Sequence, residues 1–198
     1  RQLASFQYEP SFLERSYDLA PIQMPHREST KIHYFPELVQ RRDADLDTFK
    51  GLPGMLADSL PDKYGHQLID AWLAQQGRAP KSMNPVEKLA FIGKRGMGAL
   101  EYEPVQSPGQ STSHQLELES LVTISKKLLG QREDFSADLS LSEKEAVQDI
   151  LRIGMSAGGA RPKAVIAFNE KTSEVRSGQA DAPKGFEHWL IKLDGVSD

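Results

Sequence analysis

The sequence predicts an α+β chain in two parts: a small β-rich N-terminal portion with helices, residues 1–112, then a part built on antiparallel strands behind a glycine-rich loop, residues 113–198. Three observations lead there. Short alternating stretches bounded by prolines open the chain, which suits a small irregular sheet. Two stretches of helical periodicity with start and stop signals follow at 62–76 and 84–92. Near the end, Gly154-Met155-Ser156-Ala157-Gly158-Gly159-Ala160-Arg161-Pro162-Lys163 runs directly into the apolar stretch Ala164-Val165-Ile166-Ala167-Phe168.

Taken in order, Leu3 to Tyr8 alternates apolar and polar positions and is expected to form a half-buried strand that Pro10 ends. Ser11 to Arg15 fits one helical turn, and Pro21 to Pro25 and Lys31 to Phe35 read as short extended pieces. The mixed charge run Arg41 to Asp47 reads as a solvated loop, because alternating signs cancel any field. Between Asp62 and Gln76, Tyr64, Leu68, Ile69, Trp72 and Leu73 fall at helical spacing, with Pro61 before them and Gly77 after. The next helix has Asn84 as N-cap, Pro85 in its first turn and Gly93 as its stop. Gly98 to Tyr102 is expected to return as a strand, and Glu103 to Ser113, with two prolines and a Ser/Thr/Gln-rich stretch, to be the linker.

Past the linker, a helix is expected from Ser113 or His114 to Leu129, closed by Gly130. Ser142 and Glu145 have the spacing of a capping box, opening a helix that runs through Ile153 into the glycine-rich loop. After Phe168, the polar stretch Asn169 to Lys184 reads as a hairpin tip and a flexible crossing. His188-Trp189-Leu190-Ile191-Lys192-Leu193 then reads as a short buried strand. Trp72 and Trp189, on apolar faces, are expected in the core.

Composition bounds the function. With 38% hydrophobic and 26% charged residues and a net charge of -4, the chain is globular and carries no global field for nucleic acid or acidic membranes. The absence of cysteine removes disulfides, thiolate chemistry and Cys-type zinc sites. His26, His33, His66, His114 and His188 show no ligand spacing, so no metal site of their own is expected. No apolar run approaches the roughly 18 residues of a membrane span, so a soluble, cytoplasmic chain without membrane contact is expected. The chain starts at Arg1 with a strand already under way and stops just after the last one, so both ends are expected to be cut.

The loop and the last strand carry the chemistry. Gly158 and Gly159 lack Cβ atoms and can bring backbone N–H groups close to an anion, as a phosphate cradle requires. Lys192, inside an apolar strand, would be costly unpaired and is expected to meet an anion. Ser156, Ala157, Gly158, Gly159, Ala160, Lys163 and Lys192 are the candidates for meeting a phosphate, with Arg161 beside them. On the residues alone Ser156 also fits a polar helix end, Lys163 and Arg161 solvated cations and Lys192 a snorkelling strand lysine, and a nucleotide-binding role for them is what a kinase resemblance implies.

Loop, strand, return strand and embedded lysine resemble the nucleotide-binding lobe of a protein kinase, although no G-x-G-x-x-G is present. The more specific resemblance is to the HipA family of bacterial toxin serine/threonine kinases. It rests on Ser156-Ala157-Gly158-Gly159-Ala160-Arg161-Pro162-Lys163 with Trp189-Leu190-Ile191-Lys192, and upstream on Tyr8, Met24-Pro25, Leu52-Pro53-Gly54-Met55-Leu56-Ala57-Asp58-Ser59-Leu60-Pro61-Asp62 and Arg95-Gly96-Met97-Gly98-Ala99-Leu100-Glu101-Tyr102. It spans nearly the whole chain.

That resemblance implies a kinase-like N-lobe after the N-terminal subdomain, and an enzyme as the full-length protein. It implies ATP and Mg2+ as cofactors and a translation component such as an aminoacyl-tRNA synthetase as substrate. It also implies a HipB-like antitoxin as partner, with DNA reached only through the antitoxin complex, and Ser156 as the autophosphorylation site. A kinase also needs an aspartate to position the acceptor hydroxyl and residues to hold Mg2+, and no residue here fits those roles, so the 198-residue chain alone is expected to be inactive. The alternative is a non-catalytic docking module that binds an antitoxin or a separate kinase polypeptide.

Overall fold

The computed structural model describes residues 4–15, 17–22, 24–25, 32–35, 48–96, 98–106, 118–130, 141–153, 162–178 and 182–193. The chain divides into two compact units, Arg1–Leu60 and Pro61–Asp198. The architecture is α+β, with helices and two small antiparallel sheets.

In the first unit, β1 (Ala4–Phe6) pairs antiparallel with β2 (His33–Phe35), Ser5 lying opposite Tyr34. The first strand ends at Phe6, short of the Tyr8 expected, and Pro10 opens α1 (Pro10–Leu13), where its missing N–H costs nothing. Tyr8 organises what surrounds it: its ring meets Phe6, Phe12 and His33 at centroid distances of 5.4, 5.6 and 5.9 Å. Its hydroxyl donates to the Met24 carbonyl at 2.9 Å, and burial pushes its pKa up, with the Asp18 charge adding to it. Residues 21–22 form a turn, and the Met24 N–H reaches back to the Ala20 carbonyl at 2.8 Å, so the extended piece expected at Pro21 to Pro25 is not formed. A one-turn helix, α2 (Gly54–Ala57), follows Pro53 and buries Leu56. The loop expected at Arg41 to Asp47 lies outside the described residues.

The second unit is a layer of helices against a sheet. In α3 (Lys63–Gln75), Asp62 caps the first turn by accepting from the Gly65 N–H at 2.7 Å, and Tyr64, Leu68, Ile69 and Leu73 are buried. In α4 (Pro85–Ile92), Asn84 and Glu87 close a reciprocal capping box at 2.9 and 2.7 Å, so both helices stand where periodicity and caps placed them. Gly93 ends α4 at φ 56°, ψ -120°, and a Cβ there would meet Val105 Cγ1 at 2.8 Å, so only glycine fits both backbone and neighbour.

Residues 98–102 form no strand: Tyr102 donates its N–H to the Gly93 carbonyl at 3.1 Å and Gln106 to the Ala90 carbonyl at 2.9 Å. Those donors are spent on the end of α4, where a ladder partner would otherwise be needed.

Helix α5 (Leu118–Gly130) packs on α6 (Leu141–Ile153), and α3 packs on both. Residues 107–117 lie outside the described part, and α6 begins one residue ahead of the Ser142 expected as its cap. The sheet has the order β4-β3-β5, from β3 (Lys163–Asn169), β4 (Glu174–Ser177) and β5 (Glu187–Lys192), all antiparallel. Asn169 shapes the β3–β4 hairpin, its Oδ1 accepting from the N–H groups of Lys171 and Thr172. Ala164 and Ile166 are buried on β3, and α6 packs against β3 and β4. Among the described residues, no helix is long and apolar enough to cross a membrane.

Candidate functional site

Of the residues the sequence marks, Ser156, Ala157, Gly158, Gly159, Ala160 and Arg161 lie outside the described residues. The structure does place Lys163 and Lys192, and it brings them together: they are opposite one another in the β3–β5 register. Directly opposed residues share a face, with Cβ atoms about 4.5–5.5 Å apart, and like charges there repel.

Pleating extends this face. Val165 and Ala167 follow Lys163 on β3, opposite Leu190 and His188 of β5, and Arg176 of β4 stands opposite Ala167. Arg176 already has partners, pairing with Glu174 at 2.6 Å and lying 5.4 Å over the Phe186 ring. Lys163 is half-buried and Lys192 exposed. Across the strands from the lysines, the other face carries Ala164 and Ile166 into the core. The lysine face is mixed, with Ala167 buried and Val165 half-buried beside the exposed Leu190, and on the other face Trp189 of β5 stands exposed opposite the buried Ile166.

The strand of Lys192 is not the buried strand expected. β5 lies at the sheet edge, with Trp189 and Leu190 53% and 50% exposed, so Trp189 is no core residue. A continuous apolar run satisfies the pattern of a two-sided buried strand, but whether neighbours cover it depends on distant chain, which the run does not encode.

Sequence reasoning missed a strand and two buried polar contacts. β4 has one apolar residue in four, Val175, too little for a pattern. The Tyr64 hydroxyl lies 2.8 Å from Ser125 Oγ, both groups fully buried, joining α3 to α5. Burial pushes the Tyr64 pKa up to about 12 against the opposing hydrogen bond, and the Asp62 charge adds to the rise. Arg95 is buried beside Lys94, whose side chain is solvated and paired with Glu103 at 3.2 Å. Its Nη1 donates to the Leu151 carbonyl at 2.9 Å and its Nη2 to the Phe91 carbonyl at 2.6 Å. No local signal distinguishes two adjacent cations of such different fates.

Part of the upstream motifs is core here: Tyr8, Met24, Leu52, Leu56, Arg95 and Tyr102 are buried, whereas Gly54, Asp58, Ala99 and Glu101 are exposed. Residues 1–103, just over half of the chain, match the family described as the HipA N-terminal domain. The chain belongs to that HipA family. The HipA N-terminal domain thus covers the whole first unit and continues through α3 and α4 into the second, ending at the stretch expected to be the linker. No curated protein and no solved structure matches the chain.

Proposed function

We propose that the chain is a docking module of a HipA-type toxin-antitoxin system, whose residues 1–103 bind a HipB-like antitoxin or a separate kinase polypeptide. The observation that carries this is the family match over residues 1–103. DNA would be reached only through the antitoxin. Co-expression with a HipB-like antitoxin tests it: the two should elute together in size-exclusion chromatography, and separate elution at micromolar concentration would refute it.

The opposed lysines favour a second reading, in which the segment after the linker, residues 113–198, is the nucleotide-binding lobe of a serine/threonine kinase acting on a translation component such as an aminoacyl-tRNA synthetase. Lys163 and Lys192 would hold the phosphates of ATP together with the loop Ser156 to Ala160. ATP would supply the transferable phosphoryl group. The half-buried position of Lys163 strengthens its attraction for an anion relative to bulk water.

Among the described residues, no group of three or more His, Cys, Asp or Glu could hold a metal ion. Phosphorylation of Ser156 would add about -1.5 to -2 charges to the cradle, so the modified and the nucleotide-bound forms should exclude each other. The 198-residue chain is expected to bind ATP more weakly than low micromolar and to transfer no phosphate. Calorimetry and incorporation of labelled phosphate check both.

A further inference from the structure

The last carbonyls of a helix have no intrahelical partner and carry the negative end of its dipole. One side chain serves two such ends here. Phe91 lies in the last turn of α4 and Leu151 in the last turn of α6, and Arg95 donates to the carbonyls of both. Its guanidinium also lies 5.3 Å over the Phe91 ring, and that ring packs 4.8 Å from Trp72 of α3. A planar fork with five donors can hold two carbonyls of different helices at a fixed angle, which the point charge of a lysine cannot.

The two carbonyls belong to different parts of the chain. Arg95 and Phe91 lie inside the HipA N-terminal domain and Leu151 outside it. α6, which carries Leu151, is also the helix that packs against β3 and β4. We propose that Arg95 is a positioning residue that fixes the end of α6 to the end of α4, in the part of the HipA N-terminal domain that lies in the second unit, and, through α6, couples that part to the sheet bearing Lys163 and Lys192. An occupant that shifts the Arg95 segment would then alter the lysine face, and by linkage an anion on that face would change the occupant's affinity by the same factor. This consequence rests on the docking reading; the positioning role does not.

Tyr64 offers a matched control, being a second buried polar tie from the same domain that reaches α5 and not α6. Hydrogen exchange followed by mass spectrometry on the 198-residue chain compares wild type, Arg95→Met, Arg95→Lys and Tyr64→Phe, with global stability taken from denaturant unfolding. Arg95→Met should speed exchange at 148–153 and 163–168 by about tenfold beyond what its global destabilisation accounts for. Arg95→Lys should show a smaller selective effect at the same amides, and Tyr64→Phe none. Acceleration by one common factor across all helices, or selective acceleration at α6 in Tyr64→Phe, would overturn the proposal. If Arg95→Met fails to fold, Arg95→Lys decides, and wild-type rates at 148–153 would be the contrary result. No partner is read in this experiment, so failure of the docking reading leaves its outcome intact.

Discussion

The helical layer α3 to α6 and the edge strand β5 answer differently to the same physical demands. In the helices, Leu68, Ile69, Leu73, Phe91, Leu121, Ile124 and Ile150 are enclosed, although Val86 and Leu118 are not, and the buried hydroxyls of Tyr64 and Ser125 meet each other. In β5, Trp189 and Leu190 stand half exposed beside Lys192. Enclosure yields stability, whereas an apolar edge next to a cation offers contact area and hydrogen-bonding backbone to something else. The difference teaches that folding energy resides in the first region, while the second can be altered at little cost to the fold.

Substitutions should separate along that line. The largest effect is expected for Phe91→Ala, which empties a fully buried ring site between Trp72 and Arg95. Urea unfolding should show a loss of about 3–5 kcal/mol. Next comes Gly178→Ala on the sheet, because a Cβ there would lie 2.7 Å from Val165 Cγ1 and 2.8 Å from the backbone carbon of Ile166. Backbone cannot yield as a side-chain tip can, so a loss of about 1–3 kcal/mol is expected by the same measurement.

Tyr64→Phe should cost about 1–2 kcal/mol near neutral pH, since the Ser125 hydroxyl is left buried without its partner. The gap should also depend on pH. Unfolded, Tyr64 ionises near its ordinary value of 10.0; folded, it keeps its proton until about 12. Between those values the native state binds more protons, so wild-type stability falls as pH rises. The Phe variant lacks that slope, and the difference between the two should narrow from pH 10.0 toward about 12 in parallel unfolding curves. The smallest effect is expected for Leu190→Ser, within about 0.5 kcal/mol of wild type. A loss as large as that of Phe91→Ala would erase the distinction between the two regions.

What was legible in the sequence follows the range of the forces involved. Asn84, Pro85 and Gly93 declare α4 through contacts a few residues apart, and the α3 periodicity is equally local. Lys163 and Lys192 were found as separate cations, but their opposition depends on the register of β3 and β5, which neither strand specifies alone. β4 exists because β3 offers it a ladder. The exposure of Trp189, the burial of Arg95 beside a solvated Lys94, and the return of residues 98–102 along α4 are all set by distant chain, so an apolar run, a pair of cations and a strand-like stretch were each compatible with another outcome.

The docking role of residues 1–103 is tested most directly by hydrogen exchange of the 198-residue chain, free and in complex with a HipB-like antitoxin. Slowed exchange should concentrate within residues 1–103. Protection confined to 163–192, or identical exchange throughout with and without the antitoxin, would contradict it.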